Sequence, residues 1–250
     1  LERDTEAAEF AAREQKTRVA FQQRLFDAGR GLYRDGEGTD HVSLHANLFP
    51  LAFDLVPEAQ RAGVAAWLAE RGMVCSVYAA QYLLEGLLEN GEAAAGIRLI
   101  TAPGDRSWRH MLESGTTITW EAWDQKYKPN QDWNHAWGAA PANLLPRYVL
   151  GARPLAPGWR SALIRPHLGD LQFAKGKLPT PRGPILIDWK RGATFTLSLT
   201  LPEGTTARVE LPAAGDAGQV YADGQRVAAT RKGDRWVVQQ VTGTLTLEVR

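Results

Sequence analysis

The sequence predicts an α+β protein in which a helical part precedes a β-sheet part. Up to about residue 150, apolar residues recur at helical spacing and short turns separate the segments. Beyond residue 153, prolines interrupt any helix and short alternating segments follow one another, as is typical of strands. We therefore predict two domains, over residues 1–153 and 154–250.

The helical part is predicted to consist of short amphipathic helices that pack as antiparallel pairs. Phe21, Leu25 and Leu32 follow one another at four- and seven-residue steps in the first helical stretch, which the turn at residues 35–38 ends. Ser76 is of a helix-capping residue type and directly precedes an apolar helical face. Further helices are expected at residues 57–71, 77–90, 92–99, 106–112 and 135–149, the last being irregular because it contains Pro141 and Pro146.

The second part is predicted to be a small antiparallel β-sandwich. In residues 193–201, Phe195, Leu197, Leu199 and Leu201 alternate with polar or small residues, which places them on one face of a strand. Residues 222–225 predict a hairpin turn. Other strands are expected at residues 184–189, 208–211, 219–221, 235–241 and 244–249, with the last two forming a hairpin that turns at Thr242-Gly243.

The composition excludes several functional classes. Of the 250 residues, 44% are hydrophobic and 23% charged, which is ordinary for a globular protein. The 29 basic and 28 acidic residues give a net charge of +1, so we expect neither nucleic acid nor a membrane as partner. The apolar stretch at residues 48–56 is too short to span a bilayer. The single cysteine, Cys75, excludes an intramolecular disulfide and fits a cytoplasmic, periplasmic or secreted protein equally well.

Neither a metal centre nor a cofactor is expected. His41 and His45 are four residues apart, a spacing that places two side chains on one face of a helix. A zinc-protease motif requires a glutamate directly after the first histidine, where this sequence has Val42. We favour a groove-lining or turn-capping role for the two histidines. Cys75 is expected to pack in the core, and the sequence has no glycine-rich phosphate loop.

The most informative segment is rich in tryptophan and polar residues. The sequence has 9 tryptophans, and four of them, Trp120, Trp123, Trp133 and Trp137, are interleaved with acidic, amide and imidazole side chains. Aromatic rings stack on the C–H faces of sugars, and polar side chains pair with the hydroxyl groups. Carboxyl groups beside tryptophan are expected to have raised pKa values, which suits acid–base catalysis. In the alternative interpretation, these tryptophans pack between helices and the acids face solvent.

The same segment carries a resemblance to a known family. Residues 117–123 read Thr-Ile-Thr-Trp-Glu-Ala-Trp, residues 134–138 read Asn-His-Ala-Trp-Gly, and residues 147–151 read Arg-Tyr-Val-Leu-Gly. In this order they resemble the C-terminal half of bacterial α-L-rhamnosidases of glycoside hydrolase family 78. Segments at residues 41–50, 54–58, 164–166 and 180–185 are also similar to that family, so the resemblance covers about residues 20–190.

The resemblance implies an (α/α)6 barrel, incomplete in this chain, followed by a β-sandwich, and hydrolysis of terminal α-L-rhamnose with inversion. Glu121 matches the general base that activates water. The resemblance also implies that a rhamnose-containing glycoside is the partner molecule. It implies sugar-binding roles for Trp120, Trp123, Asp124, Asn134, His135 and Trp137.

The resemblance also indicates that part of the machinery is missing. The family's general acid lies upstream of the matching segments. Six or seven helical segments are expected here, against twelve in the full barrel. We therefore expect that the sequence, which begins at Leu1 within a helical pattern, is part of a longer polypeptide or dimerises, and that alone it is inactive. The local candidates for a second carboxyl group are Asp35, Glu113, Asp124 and Asp132.

Two alternative functions are kept. One is a non-catalytic carbohydrate-binding protein in which the sandwich binds sugar and the helices serve as scaffold. The other is a different exo-glycosidase on the same barrel. Glu121, between two tryptophans, favours an enzyme over a binding module, because binding requires no carboxylate placed to activate water.

Overall fold

The computed structural model describes residues 3–213 and 218–250. The chain divides into two compact units, residues 1–138 and 139–250, and each is described by itself. The first unit is mainly helical and the second consists mainly of β-sheet. The predicted order of helices followed by strands is therefore confirmed.

Six α-helices of the described residues lie in the first unit. They are α1 (Asp4–Leu25), α2 (His45–Ala52), α3 (Glu58–Arg71), α4 (Val77–Glu89), α5 (Ala93–Ile100) and α6 (Trp108–Glu113). The Ser76 hydroxyl accepts a hydrogen bond from the backbone N–H of Ala79, so the predicted cap of α4 is confirmed. Gly72 follows the last residue of α3 with a positive φ of 69°, as the Arg71-Gly72 stop predicts.

Helix α4 forms the centre of the helical core. It packs on α2, α3 and α5, and its predicted apolar face is fully buried, including Leu84 and Leu87. Gly86 allows α2 to approach closely, because a Cβ atom added there would lie 3.2 Å from the Leu51 side chain. Burial of such leucine side chains contributes about 1.5–3 kcal/mol each, which makes this packing the main source of helix stability.

The first helical stretch ends earlier than its periodicity predicts. Helix α1 stops at Leu25, and Phe26–Asp27 (β1) pairs with Leu32–Tyr33 (β2) in a short antiparallel hairpin. Leu32 is therefore a buried strand residue and not a helical one. The hairpin is fixed by Asn47 of α2, whose side chain accepts a hydrogen bond from the Tyr33 N–H and donates one to the Tyr33 carbonyl.

Helix α1 is the longest helix, with 22 residues, and none of its residues is buried. Acidic residues begin it and Arg24 lies in its last turn, which is the favourable arrangement for the helix dipole. Within the two described stretches, no helix is both long and apolar enough to cross a membrane.

The segment predicted as one irregular helix at residues 135–149 is divided into three. It consists of a 3-10 helix (Ala136–Ala139), the short helix α7 (Ala140–Leu144) and a π-helical turn (Leu145–Val149). Pro141 and Pro146 lie at the first or second position of the latter two elements, where a missing N–H is tolerated. The predicted irregularity is therefore confirmed.

The second unit contains two larger β-sheets. The six-stranded sheet has the order β10-β9-β13-β7-β6-β5, and the five-stranded sheet has the order β11-β12-β8-β4-β3. The strands are β3 (Ala152–Pro154), β4 (Ser161–Ile164), β5 (Phe173–Leu178), β6 (Ile185–Arg191), β7 (Phe195–Thr200), β8 (Thr206–Pro212), β9 (Val220–Ala222), β10 (Gln225–Arg226), β11 (Thr230–Lys232), β12 (Arg235–Val241) and β13 (Thr244–Val249). All pairs are antiparallel except β4 with β8.

The predicted hairpin between the last two strands is wrong. Strand β12 pairs with β8 and β11, whereas β13 pairs with β7 and β9 in the other sheet. The register of β12 shifts between Val238 and Val241, and Gln240 has a positive φ of 55°. Such a bulge bends the strand, so the chain passes from one sheet to the other at Thr242-Gly243. The predicted turn at residues 222–225, between β9 and β10, is confirmed.

The Ser76 cap gives a stability prediction. Ser76→Ala should lower the free energy of unfolding by about 1 kcal/mol, because it removes the hydrogen bond to the Ala79 N–H, and Ser76→Asp should preserve most of the stability. Urea denaturation followed by circular dichroism measures the change. Ser114→Ala, at an exposed serine after α6, is the control and should change stability by less than about 0.5 kcal/mol. Equal losses in Ser76→Ala and Ser114→Ala would contradict the capping role.

Candidate active site

The candidate site is built on the long loop between α6 and the 3-10 helix. Backbone hydrogen bonds join its two ends, from the His135 N–H to the Thr119 carbonyl (2.8 Å) and from the Glu121 N–H to the Asp132 carbonyl (3.1 Å). The Thr119 hydroxyl also donates to the His135 carbonyl. Loops of this length inside a compact unit are uncommon and are usually functional. The closure brings Glu121 close to Asp132 and His135.

Two buried tryptophans anchor the loop on either side of Glu121. Trp120 and Trp123 are only 4% and 3% exposed. The Trp123 indole N–H donates to the Cys75 carbonyl at 2.7 Å, and its ring meets Trp108 edge to face. The interpretation in which tryptophans pack between structural elements therefore applies to these two residues. Trp133 and Trp137, at 52% and 60% exposed, remain open to solvent.

Gly138 allows the two ends of the loop to approach each other closely. A Cβ atom at this position would lie 2.6 Å from the Trp120 carbonyl oxygen and 2.7 Å from the Thr119 Cβ. The Gly138 carbonyl also accepts a hydrogen bond from the Trp108 indole at 2.5 Å. Only glycine fits this contact without moving the backbone that carries Glu121.

A cavity of about 470 Å³ opens beside the loop. Its walls bring together three of the predicted site residues, Glu121, Trp123 and Trp137. The remaining lining residues are Cys75, Ser76, Val77, Tyr78, Arg106, Ala122, Tyr127 and Lys128. The volume lies within the usual range for small-molecule sites, and the exposed rings of Tyr78 and Trp137 are in contact, with centroids 4.8 Å apart.

Glu121 is held as a carboxylate by specific donors. The Lys128 ammonium contacts Oε1, and the Asp132 N–H donates to Oε2 at 3.1 Å. The Lys128 hydrogen bond is the largest cause, followed by the Asp132 N–H, and together with the nearby His135 they lower the pKa of Glu121 below its usual 4.5. The expectation of raised carboxyl pKa values beside tryptophan is therefore wrong here, because donors and cations outweigh the burial of the carboxylate.

Four predicted sugar-binding residues do not line the cavity. Trp120 is buried, and Asn134 is exposed. Asp124 accepts hydrogen bonds from the Lys126 N–H and from His110 (2.7 Å), and these donors lower its pKa. His135 lies next to the cavity, with its ring 4.8 Å from that of Trp137. Their sugar-binding roles stay predictions.

Buried polar atoms without partners surround Glu121. Within the described residues, Trp120 Nε1, Gln131 Nε2 and His135 Nε2 are buried and make no hydrogen bond. Unpaired buried polar atoms are rare and often mark functional sites. Side-chain oxygen atoms of Glu121 and Asp132 and a ring nitrogen of His135 all lie within 4.8 Å of one another, and the Lys128 ammonium contacts Glu121 in this group.

The two histidines considered for metal binding do not share a helix. His41 lies in a loop, where its Nδ1 is 2.6 Å from Asp35, and His45 begins α2. Cys75 is buried, and burial raises the pKa of its thiol to about 12. It is therefore a neutral core residue and not a nucleophile.

Sequence reasoning missed Tyr78, Arg106 and Lys128. Tyr78 and Arg106 come from segments distant in sequence, so only the fold brings them to the cavity. Lys128 lies seven residues after Glu121, within the tryptophan-rich segment itself. A search for a cation able to pair with the central carboxylate would have found it.

Family models cover most of the chain. The bacterial alpha-L-rhamnosidase 6 hairpin glycosidase domain matches residues 1–149, and the bacterial alpha-L-rhamnosidase C-terminal domain matches residues 151–225. The fold and the site thus define a member of a glycosidase class. The chain belongs to the family of bacterial α-L-rhamnosidase six-hairpin glycosidase domains, which confirms the resemblance drawn from residues 117–151.

Individual relatives agree with this assignment. The curated alpha-L-rhamnosidase of Alteromonas sp. (strain LOR) is 26% identical over 228 residues, covering 83% of this chain. The solved α-L-rhamnosidase of Dictyoglumus thermophilum shares the fold, with a TM-score of 0.83 at 22% identity over 100% of this chain and 29% of that one. The GH78 family rhamnosidase of Bacillus sp. GL1 is 26% identical with a TM-score of 0.63, over 82% of this chain and 24% of its own.

The chain spans only a minor part of these relatives. It covers 24% of the length of the Alteromonas protein. The relatives therefore contain additional segments that have no counterpart in the 250 residues of this chain.

The close approach at Gly138 can be tested directly. Gly138→Ala should destabilise the first unit by about 1–3 kcal/mol and change the near-ultraviolet circular dichroism of the tryptophans, because the new Cβ displaces the Trp120 backbone. Gly104→Ala is the matched control, since nothing lies within 4 Å of its Cβ position, and it should leave the tryptophan spectrum unchanged. A Gly138→Ala protein with native stability and an unchanged spectrum would show that the contact does not hold the loop.

Proposed function

We propose that this chain supplies the general-base half of the active site of an inverting α-L-rhamnosidase. Glu121 activates the attacking water, and the cavity beside it receives part of the terminal sugar. The helical part of the barrel extends over residues 1–153 and the C-terminal sandwich over residues 154–250. The observation that carries the proposal is the position of Glu121, held by Lys128 and the Asp132 N–H at the wall of a cavity that exposed aromatic rings also line.

The cavity has the chemistry that a sugar requires. Trp137 and Tyr78 offer exposed ring surfaces for the C–H faces, and Ser76 and Arg106 offer polar groups for hydroxyls. His135 supplies a buried, unpaired ring nitrogen at the same loop. Together these groups support the binding of a rhamnose-containing glycoside.

The ionisation state of Glu121 suits a base. A general base must be deprotonated before it accepts a proton from water, and the lowered pKa of Glu121 keeps it so at neutral pH. Each carboxylate oxygen accepts one hydrogen bond, from Lys128 or from Asp132, which leaves a further lone pair for water.

None of the four predicted carboxyl groups suits the role of general acid. An inverting glycosidase places its two carboxyl groups about 6.5–9.5 Å apart, and the acid must be protonated. Asp132 is too close, within 4.8 Å of Glu121. Hydrogen bonds lower the pKa values of Asp35 and Asp124, and Glu113 is paired with Arg109. These contacts support a general acid supplied by other parts of a complete barrel.

An exposed aromatic face supports the same conclusion. Phe49 of α2 and Phe53, which directly follows that helix, lie in ring contact with Tyr82 of α4, at 5.3 Å in each case, and Tyr82 contacts Tyr78. Phe53 is 56% exposed, which is unusual for a phenylalanine in a cluster of rings. We propose that further helices cover this aromatic face, either from a polypeptide that continues on the N-terminal side or from a second copy of the chain.

The catalytic role of Glu121 can be tested in a polypeptide that contains the complete barrel. Glu121→Gln should lower kcat on an aryl α-L-rhamnoside by about 10²–10⁴-fold with little change in KM, because it removes the base but not the pocket. Glu113→Gln, at an exposed carboxylate paired with Arg109, is the control and should retain full activity. Residues 1–250 alone should show negligible activity, and robust hydrolysis by this chain would overturn the half-site proposal. Unchanged hydrolysis in Glu121→Gln, with sugar binding retained, would favour a non-catalytic binding role for this segment.

Coverage of the aromatic face predicts a difference between two polypeptides. Phe53→Ser should destabilise the complete barrel by about 1.5–3 kcal/mol, because a covered phenylalanine is lost, but should change the 250-residue monomer much less. Denaturant unfolding, with sedimentation to establish the oligomeric state, provides the measurement. Phe173→Ser, at another exposed phenylalanine, is the control. Equal effects of Phe53→Ser in both polypeptides would show that nothing further covers the face.

A further inference from the structure

Lys128 has a fixed position beside Glu121 for which neither the sequence motifs nor the fold assignment gives a role. Its ammonium contacts Glu121 Oε1, while the Asp132 N–H donates to Oε2. Because the two donors bind different oxygens, they fix the plane of the carboxylate. Glu121 is 23% exposed and Lys128 is 40% exposed, which places the pair at the cavity wall and not in bulk solvent.

The backbone of Lys128 is restrained by a turn. Residues 128–131 read Lys-Pro-Asn-Gln, and the Gln131 N–H donates to the Lys128 carbonyl at 3.0 Å. Proline at the second position favours such a turn and restricts the residue before it to extended conformations. The Gln131 side chain in turn accepts a hydrogen bond from the Ala122 N–H, directly after Glu121. The turn that carries Lys128 is therefore hydrogen-bonded to the loop segment that carries Glu121.

The nearby carboxylate of Asp132 makes a cation beside Glu121 favourable. Oxygen atoms of the Glu121 and Asp132 carboxylates lie within 4.8 Å of each other, and two like charges at that distance disfavour full ionisation of both. The other titratable or charged groups facing Glu121 come from the start of α4, the segment before α6 and the loop itself: Cys75, Tyr78, Arg106, Tyr127 and His135. Arg106 lies over the ring of Tyr127, and Cys75 stays a neutral thiol, so Lys128 is the cation in contact with the carboxylate.

We propose that Lys128 is a positioning residue that keeps the Glu121 carboxylate ionised and oriented for accepting a proton from water. The proposal rests on the proposed role of Glu121 as general base. Lys128 itself transfers no proton. It compensates the charge of Asp132 and holds Oε1, so that the base stays available when the pH falls below neutrality.

The test reads the ionisation of Glu121 without requiring turnover. Side-chain carboxyl signals of the ¹³C-labelled 250-residue chain are followed by NMR from pH 7 to pH 3, with Glu121 assigned from its loss in Glu121→Gln. The native signal should titrate below the usual glutamate value of 4.5. In Lys128→Met the pKa of Glu121 should rise. In Lys128→Arg it should stay close to the native value, because the positive charge is kept.

A neighbouring lysine provides the control. Lys126 pairs with Asp105 and not with Glu121, so Lys126→Met should leave the Glu121 titration unchanged. In the native chain, raising the NaCl concentration to about 1 M should also raise the pKa of Glu121, because salt weakens the partly exposed ion pair between Lys128 and Glu121. This measurement needs no variant and so keeps the test valid if Lys128→Met does not fold. The proposal would be overturned if the pKa of Glu121 were the same in Lys128→Met as in the native chain, or if salt did not change the pKa of Glu121 in the native chain.

Activity then separates the two proposals. In the complete barrel, Lys128→Met should lose activity mainly on the acid side, which shifts the acid limb of the pH profile of kcat/KM upward. In one outcome, Lys128→Met raises the pKa of Glu121 while Glu121→Gln keeps full activity. Lys128 would then still be the group that keeps Glu121 ionised, but Glu121 would have no part in catalysis.

Discussion

The burial of two tryptophans determines where Glu121 lies. Trp120 and Trp123 insert into the helical unit on either side of it, so the residue between them has little freedom to move. Gly138 completes the constraint, because its missing side chain allows the far end of the loop to contact the Trp120 carbonyl. The ionised carboxylate, its two donors and the neighbouring cavity all depend on this anchored loop.

The tryptophans of this region therefore differ in their surroundings. The buried rings of Trp120 and Trp123 hold the backbone of the loop, whereas the ring of Trp137, in the 3-10 helix that follows the loop, is exposed. A rigid support under an exposed polar group is the usual design of a catalytic site, because a small displacement of the reacting group is costly. Specificity for one sugar cannot come from this loop alone, since the cavity is open and the relatives contain further segments that this chain lacks.

Local signals in the sequence predicted the local structure well. Ser76 caps α4 because a serine side chain satisfies an N–H of the first turn regardless of the rest of the fold. Leu32 and the β12–β13 connection were predicted wrongly, since a hairpin contact and a bulge at Gln240 override periodicity. The motif around Glu121 located the site, but not Lys128 or Tyr78, because their positions depend on a turn and on a distant helix. The sign of the Glu121 pKa shift also depended on these donors.

The proposed role of Glu121 is the activation of a water molecule for attack on the sugar. Replacement of Glu121 by alanine in a complete barrel, followed by addition of azide, distinguishes this role from a purely structural one. A small anionic nucleophile needs no base, so azide should restore turnover and give the β-L-rhamnosyl azide, with inverted configuration. Failure of azide to restore activity in a folded Glu121→Ala enzyme, or formation of the α-azide, would contradict the assignment.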